Sequence, residues 1–443
     1  MRDAKRVIQM MAALLSLFSV AGAAESEPAT TLGYDLAGVV KAARENHPQV
    51  AGAEAAVRRG LGGVREARAA ALPRLGATLG YSYLQDPPQF RAAPFGEMVF
   101  GERDNTTAVM TLHYPLYTGG RLGAQRQQAE AEVDALQAQR DAVADQAGLR
   151  ASEHYFDVLR AGEMIRVMEE QVKALEAQHA AAEKMLAAGV VTKLDVLRTQ
   201  AALALAREHL VKARASEVLG SAALAEAMGL PADAPIRVSR QFDEPRLPAQ
   251  LDEAIAIALQ NRPEPREMAA REAGADAAIR TARSHQRPQV GAFIQSDFHR
   301  PSYMPRTGTL SAGVALTYSL FDGNAARAQV EQARSERERI EAARAALENG
   351  IRLEVTQRFQ EVESARERIA ATQAGVAAAE ESYRLATLGY QSQVTPLTDL
   401  LQAQAELTRA RSDLVMAQFD LRIAQARLQT ALGISAQDAH AEG

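Results

Sequence analysis

The chain makes the same change of pattern twice, at points 204 residues apart. An alternating apolar and polar segment ends in YPLYTGGRLGAQ, which begins at Tyr114, and its second copy, YSLFDGNAARAQ, begins at Tyr318. In both copies a glycine marks the break, and a long stretch rich in Ala, Gln and Arg follows. Upstream, LAGVVKAARENHP from Leu36 matches LDEAIAIALQNRP from Leu251 at an offset of 215. The chain therefore contains an internal repeat, and its two halves have the same elements in the same order.

The repeat divides the chain into two similar parts. Repeat 1 covers 24–230 and repeat 2 covers 251–434, and each is predicted to hold a helical stretch, two strands and a long helical hairpin. Between them, 231–250 contains four prolines and mixed charges, which indicates a crossover linker.

The N-terminus has the pattern of a secretory signal peptide, predicted over 1–23. A basic start precedes the short apolar run MMAALLSLFSV and the small residues Ala21-Gly22-Ala23. The run is too short to span a bilayer comfortably. We expect an exported protein, which closes with a short tail at 435–443.

Four segments alternate apolar and polar residues with period two, as strands do. They are predicted at about 73–84, 106–117, 288–298 and 309–321. Each has about the length of a membrane-spanning strand, ~9–11 residues plus flanks, and tyrosines cluster near the ends. We expect one face to contact membrane lipid, through positions that include Leu79, Leu112, Ile294 and Leu316. The alternative is a pair of soluble amphipathic hairpins packed on the helices.

The remaining long segments carry apolar residues every seven positions, which indicates coiled-coil-like packing. One such series begins at Val158, and its repeat equivalent begins at Val362. Long helical hairpins are predicted over 120–228 and 324–432. The first helix alone would be ~100 Å long at 1.5 Å per residue, which is a rod rather than part of a globule.

Four strands leave two open edges. In lipid, each unpaired backbone group costs several kcal/mol, so an open sheet is not viable there and the barrel must be shared between chains. Two chains would give an eight-stranded barrel, and side chains fill the interior of a barrel of that size. Three chains would give twelve, enough to leave a lumen.

Composition and motifs argue against several other classes of protein. The net charge is −5, which gives no basic excess for nucleic acid, and there are no cysteines for thiolate metal sites or thiol catalysis. No phosphate loop, nucleophile elbow or paired-carboxylate cleft is found. His179 lies at a heptad core position and is interpreted as a packing residue. We therefore expect no enzyme activity, no cofactor and no bound metal.

In the order of its motifs the sequence resembles the TolC-type outer-membrane efflux proteins. The resemblance covers nearly the whole exported part of the chain. It depends on the repeat, the paired strands, the long helices, GVVTKLDVLRTQAAL at 189–203 and TPLTDLLQAQAEL at 395–407, and the closing Gly229-Leu230 and Gly433-Ile434.

The resemblance implies a mainly α-helical fold with a β-barrel part: a homotrimer with a shared twelve-stranded outer-membrane barrel, continued by a long periplasmic helical barrel. It implies an exit duct of a tripartite efflux or type I secretion system. The partners would be a periplasmic adaptor and an inner-membrane pump of RND, ABC or MFS type. The chain continues only about ten residues past Gly433, so a collar built from a longer tail is expected to be reduced. The alternative is a soluble periplasmic coiled-coil scaffold or adaptor without a barrel.

The resemblance also implies that the tips of the helical hairpins dock the adaptor. From the residues themselves, Gly189 is predicted to end one helix in a left-handed conformation, and Thr192 to cap the next with Asp195 as a capping-box carboxylate. In the second tip, Gly389 is predicted to break the helix, Thr395 to cap the next one and Pro396 to occupy its first position.

A gate at the periplasmic constriction is the second implied site. Asp399 lies just inside its helix, where a carboxylate suits the positive end of the dipole, and the resemblance places it in a ring. The family often has a second aspartate one turn later. Here that position is Gln402, so a weaker electrostatic gate is expected.

Overall fold

A computed structural model describes residues 33–86, 89–92, 94, 96–99, 103–240, 242, 245–300 and 308–434. The predicted signal peptide and tail lie outside the described residues. Most of the described chain is helical, and the two halves have the same architecture.

Repeat 1 begins with the short strand β1 and two helices, and continues through the strands into a long hairpin. Its elements are β1 (Gly33–Tyr34), α1 (Leu36–Asn46), α2 (Pro48–Ala69), β2 (Arg74–Tyr83), β3 (Gln89–Ala92), β4 (Gly96–Val99), β5 (Asp104–Tyr117), α3 (Arg121–Ala187) and α4 (Lys193–Ala227).

Repeat 2 follows after the strand β6 (Arg237–Val238). Its elements are α5 (Leu251–Asn261), α6 (Pro263–Ser284), β7 (Gln289–Arg300), β8 (Gly308–Thr317), α7 (Ala325–Gln391) and α8 (Leu397–Ala431). The long helices match in length, because α3 and α7 each have 67 residues and α4 and α8 each have 35. The predicted fourth strand ends early, at Thr317, four residues before its expected limit.

The four long strands form one antiparallel sheet in the order β2-β5-β7-β8. The register pairs Leu112 with both Leu75 and Ile294, and it pairs Leu316 with Val290. Since paired residues lie on the same face, Leu79, Leu112, Ile294 and Leu316 share one face of the sheet. That face is exposed: Leu79 is 78% and Leu316 is 67% accessible. The sheet is not closed within one chain, and β2 and β8 are its free edges.

Both strand-to-helix turns use left-handed backbone. Gly119 and Gly120 have φ of 65° and 91°, and their equivalents 204 residues later, Gly323 and Asn324, have 65° and 71°. Glycine tolerates this region at no steric cost, and asparagine is the side chain that enters it most readily. The repeated sequence motif is therefore the turn that carries the chain from sheet to helix.

The helices form two hairpins that are joined side by side. α3 packs along α4, α7 packs along α8, and α8 also packs against α3. The first residues of both heptad series, Val158 and Val362, are buried between the helices. Apolar residues of the shorter helices are buried there as well, at Leu203, Leu400 and Leu407. None of the helices in the described ranges is sufficiently long and apolar to cross a bilayer.

The crossover segment is part of the core rather than a free linker. Its strand β6 pairs in parallel with β1, and Phe242 packs against Phe156 with ring centroids 5.4 Å apart. The Tyr155 hydroxyl is buried there and donates to the Ser239 carbonyl at 2.7 Å. Sequence analysis did not predict these strands or the short β3–β4 hairpin, since two- and four-residue strands leave no periodic signal.

Candidate functional site

The tip of the first hairpin has the predicted geometry. Gly189 has φ of +73° and donates to the Leu186 carbonyl at 2.9 Å, while Val190 donates to the Met185 carbonyl at 2.9 Å. These two bonds make a Schellman motif, which satisfies the last carbonyls of α3. The left-handed position at Gly189 is therefore confirmed as the end of the helix.

α4 begins with a complete capping box. The Asp195 amide donates to the Thr192 hydroxyl at 3.3 Å, and the Asp195 carboxylate accepts from the Thr192 amide at 3.1 Å and hydroxyl at 2.8 Å. Each side chain thus satisfies a backbone donor that the helix leaves free. Asp195 is only partly buried, so this structural role leaves part of its side chain accessible to a partner as well.

The second tip corrects the prediction for Gly389. α7 continues through Gly389 to Gln391, and the left-handed residue is Gln393, with φ of 59°. The backbone amide of Gln393 donates to the Tyr390 carbonyl at 3.1 Å, and that of Val394 donates to the Gly389 carbonyl at 2.8 Å. These two bonds repeat the Schellman motif of the first tip. The repeat offset of 204 already aligned Gln393 with Gly189, and this signal identifies the position better than the nearest glycine does.

The predicted cap of α8 is also wrong. Pro396, not Thr395, occupies the N-cap position, and no side chain caps this helix. Thr395 belongs to the closing turn of α7 instead, because its amide donates to the Gly389 carbonyl at 3.2 Å. Its side chain fills the space directly over the Gly389 Cα, so Gly389 is required for close approach and not for its backbone freedom.

The predicted gate residues lie in the first turns of α8. Asp399 is exposed, and one of its carboxylate oxygens accepts from the Thr398 hydroxyl at 3.2 Å. Gln402 donates its side-chain amide to the Glu406 carboxylate at 3.0 Å. Asp399 and Glu406 are seven residues apart and therefore lie on nearly the same side of α8. A second carboxylate on this face was missed because it lies two turns, not one turn, beyond Asp399.

The two tips of one chain lie next to each other. Tyr390, near the end of α7, has a buried hydroxyl without a hydrogen-bond partner. Burial, together with the negative charge of Asp195 in the other tip, raises the pKa of Tyr390. The hairpins thus bring a phenol and a carboxylate together, although these residues are 195 positions apart in sequence.

No metal centre is found in the described part of the chain, where no group of three or more His, Cys, Asp or Glu side chains is suitably placed. His179 packs as predicted, with Nδ1 2.9 Å from the buried Thr199 hydroxyl.

An exposed apolar sheet continued by helices of about 100 Å is typical of a membrane-inserted protein that extends far from the bilayer. The model of the outer membrane efflux protein family matches residues 39–230 and 254–434, which are most of both repeats. The chain therefore belongs to the outer membrane efflux protein family. Membership places it in the outer membrane, with the helical part in the periplasm.

Known proteins agree with this assignment. Protein CyaE of Bordetella pertussis is 27% identical over 263 residues, which are 57% of this chain and 54% of CyaE. The alignment thus spans about half the length of that relative. The fold is similar to that of CusC, with a TM-score of 0.78 at 17% identity, over 91% of this chain and 93% of CusC. The outer membrane protein VceC of Vibrio cholerae gives 0.74 at 20% identity, over 90% and 96%.

Proposed function

We propose that this chain forms the outer-membrane exit duct of a tripartite efflux or type I secretion system. It would conduct substrates passively from an inner-membrane pump, through a periplasmic adaptor, to the outside. The observation that carries the proposal is the open four-stranded sheet with an exposed apolar face, continued by two hairpins of 67- and 35-residue helices. The matched family is one of efflux proteins, not of enzymes.

The duct is a homotrimer in this proposal. Three copies of the four-stranded sheet supply twelve strands, since 3 × 4 = 12, and pairing β8 of one copy with β2 of the next leaves no edge unpaired. Leu79, Leu112, Ile294 and Leu316 then face lipid. The helices support the same arrangement, because α4 exposes Val211, Val218 and Leu219 and α7 exposes Leu353 and Leu385. Such apolar faces are typical of interfaces between copies.

The hairpin tips are the proposed docking surface for the adaptor, and the start of α8 is the proposed gate. The docking residues are Gly189, Thr192, Asp195, Gly389, Thr395 and Pro396. Three copies of Asp399 and Gln402 would surround the periplasmic opening, with Glu406 two turns further along. A ring of carboxylates concentrates cations and repels anions.

Native mass spectrometry in detergent tests the assembly. We expect complexes of three chains that are extracted from outer membranes only with detergent. A stable, detergent-free monomer would favour the periplasmic scaffold instead and would refute the duct.

A further inference from the structure

The two strand hairpins of the sheet pair in the same register once the repeat offsets are applied. In repeat 1, Arg74 on β2 lies opposite His113 on β5. The offset of 215 takes Arg74 to Gln289, and the offset of 204 takes His113 to Thr317. In the structure Gln289 on β7 lies opposite Thr317 on β8. The offsets, which come from the sequence alone, therefore carry one hairpin onto the other residue for residue.

The sheet of one chain contains a junction between the two repeats, where β5 of repeat 1 pairs with β7 of repeat 2. Its register is given by the pairs Leu112 with Ile294, Pro115 with Gly291 and Tyr117 with Val290. Between the last two of these pairs the register shifts by one residue, as at a β-bulge. The reverse junction, of β8 with β2, is not made within one chain, because these strands are the free edges of the sheet.

The end of β8 is shorter than the equivalent end of β5. β5 continues to Tyr117 and pairs with β7 up to that residue, whereas β8 ends at Thr317, four residues before the equivalent position, Phe321. Leu320 and Phe321 are 90% and 86% exposed. Side chains can remain exposed in lipid, but backbone donors and acceptors cannot remain unpaired there. The end of β8 therefore needs a strand beside it, as the end of β5 has.

We propose that β8 of one chain pairs with β2 of the next chain in the register of β5 with β7, and that this pairing extends β8 to Phe321. The repeat offsets convert the observed junction into specific pairs between chains. These are Leu79 with Leu316, Thr78 with Thr317, Gly76 with Ser319 and Leu75 with Phe321, with a bulge at Leu320. The inference rests on the proposed function, because it requires a closed ring of chains.

The space over Gly76 supports this register. Among the described residues of one chain, nothing lies within 4 Å of a β-carbon built on Gly76. At its repeat equivalent, Gly291, the His113 ring occupies that space, and its Cε1 would lie 2.8 Å from such a carbon. The repeat equivalent of His113 is Thr317. In the proposed register Thr317 of the next chain covers Gly76 as His113 covers Gly291.

The proposed pairs are also chemically matched. Leu79 lies opposite Leu316 on the apolar face of the sheet, and on the other face Thr78 lies opposite Thr317, a pair of residue types that stabilises antiparallel strands. A shift of one residue would place Leu316 opposite Thr78. Such a shift would turn the apolar side chains of one chain to the polar face of the next.

Disulfide cross-linking between chains tests the register, since the chain has no cysteine of its own. Residues directly opposite each other in an antiparallel pair have Cα atoms about 4.5–5.5 Å apart, within the range of about 4.4–6.8 Å that a disulfide bridges. We expect two double variants, Thr78→Cys with Thr317→Cys and Leu79→Cys with Leu316→Cys, to be mostly cross-linked between chains. The assembled protein is oxidised with iodine, which also enters lipid.

The same positions provide matched controls. In Thr78→Cys with Leu316→Cys, and in Leu79→Cys with Thr317→Cys, the two sulfurs point to opposite faces of the sheet, so cross-linking should be lost. Thr78→Cys with Ala315→Cys keeps the face but shifts the pair by two residues. The separation is then about 7–8 Å, and much less product is expected.

Amide hydrogen exchange tests the extension of β8. In the assembled wild-type protein, the amides of 318–321 should be protected to the same degree as those of 114–117, the equivalent end of β5. Exchange of 318–321 at the rate of an unpaired segment would overturn the extension.

Native mass spectrometry of the same samples separates failure of the register from failure of the duct. Trimers that cross-link best in a swapped or shifted variant, or in none of the variants, would overturn the register and leave the ring of three chains in place. Absence of trimers from every sample, including the wild type, would refute the ring and with it the proposed duct.

Discussion

Replacing Ile294 with arginine tests whether the exposed apolar face meets lipid. Ile294 lies near the middle of β7, pairs with Leu112 on one side and Ala312 on the other, and is 44% exposed in the single chain. At the midplane of a bilayer an arginine on the lipid face costs ~2–4 kcal/mol. We therefore expect Ile294→Arg to lower the free energy of unfolding in lipid by about this amount.

Depth in the membrane sets the size of the effect. Leu316 lies on the same face but is four residues from Ala312, the partner of Ile294, and one residue from the end of β8. Four residues correspond to ~13 Å along a strand, which brings Leu316 near the edge of an apolar band about 25 Å tall. Arginine there should cost only ~0–1 kcal/mol.

Gln295→Arg is the control, because Gln295 follows Ile294 and points to the opposite face of the sheet. It should change stability little in a water-filled lumen. The assay is denaturant unfolding of the protein in lipid vesicles, followed by the loss of strand signal. If Gln295→Arg were as destabilising as Ile294→Arg, or if neither had an effect, the assignment of the lipid face would be wrong.

Three further predictions concern the gate, the tips and the core. Asp399→Asn should reduce cation selectivity in a salt gradient, and the Asp399→Asn, Glu406→Gln pair should reduce it further, with a stability loss of only ~0.3–1 kcal/mol; unchanged reversal potentials would exclude a carboxylate ring. Gln393→Gly should stabilise the protein by roughly 1 kcal/mol, because it removes a side chain from a left-handed backbone position. Gly189→Ala at the equivalent position should destabilise it by a similar amount. Melting temperatures that shift in the same direction for both variants would contradict this. Burial raises the pKa of Tyr155 to about 12, so the stability contributed by its neutral hydroxyl is complete below pH 10 and is lost as pH rises from 10 to 12. In Tyr155→Phe, the fall in stability over this range should be shallower by about 1.4 kcal/mol per pH unit. An unchanged alkaline profile would refute the assignment.

The sequence predicted the elements that repeat and have a clear period. Four alternating segments and two heptad series correspond to β2, β5, β7, β8 and the long helices, because burial of one face constrains every second residue of a strand or every third and fourth residue of a helix. The first tip was also predictable, since Gly189, Thr192 and Asp195 satisfy helix-end groups through local bonds.

The features that could not be predicted depend on contacts between residues that are far apart in the sequence. Gln393 adopts a conformation that is usual for glycine, and Thr395 packs over Gly389 instead of capping α8, so the residue type at the second tip was misleading. The strand pair of β1 with β6 joins segments about 200 residues apart, and Phe242 packs against Phe156, which lies 86 positions earlier. No local pattern encodes either contact. Arg411 on α8 likewise has the sequence context of an ordinary charged helix residue. Only the structure shows that its Nη1 lies 2.7 Å from Glu170 Oε2 on α3, 241 positions away.

The closed ring of three chains is tested most directly by disulfide cross-linking of the sheet edges. The chain has no cysteine of its own, so one cysteine can be placed at Thr78 on β2 and a second moved stepwise along β8 from Thr309 to Thr317. Within one chain β5 and β7 separate these edges by three strand spacings, ~14 Å, beyond the Cα separation of about 7 Å that a disulfide spans. After oxidation and full denaturation, a closed ring of three chains gives products of one, two and three chains and none larger. Products longer than three chains, or none beyond the monomer at any position along β8, would contradict it.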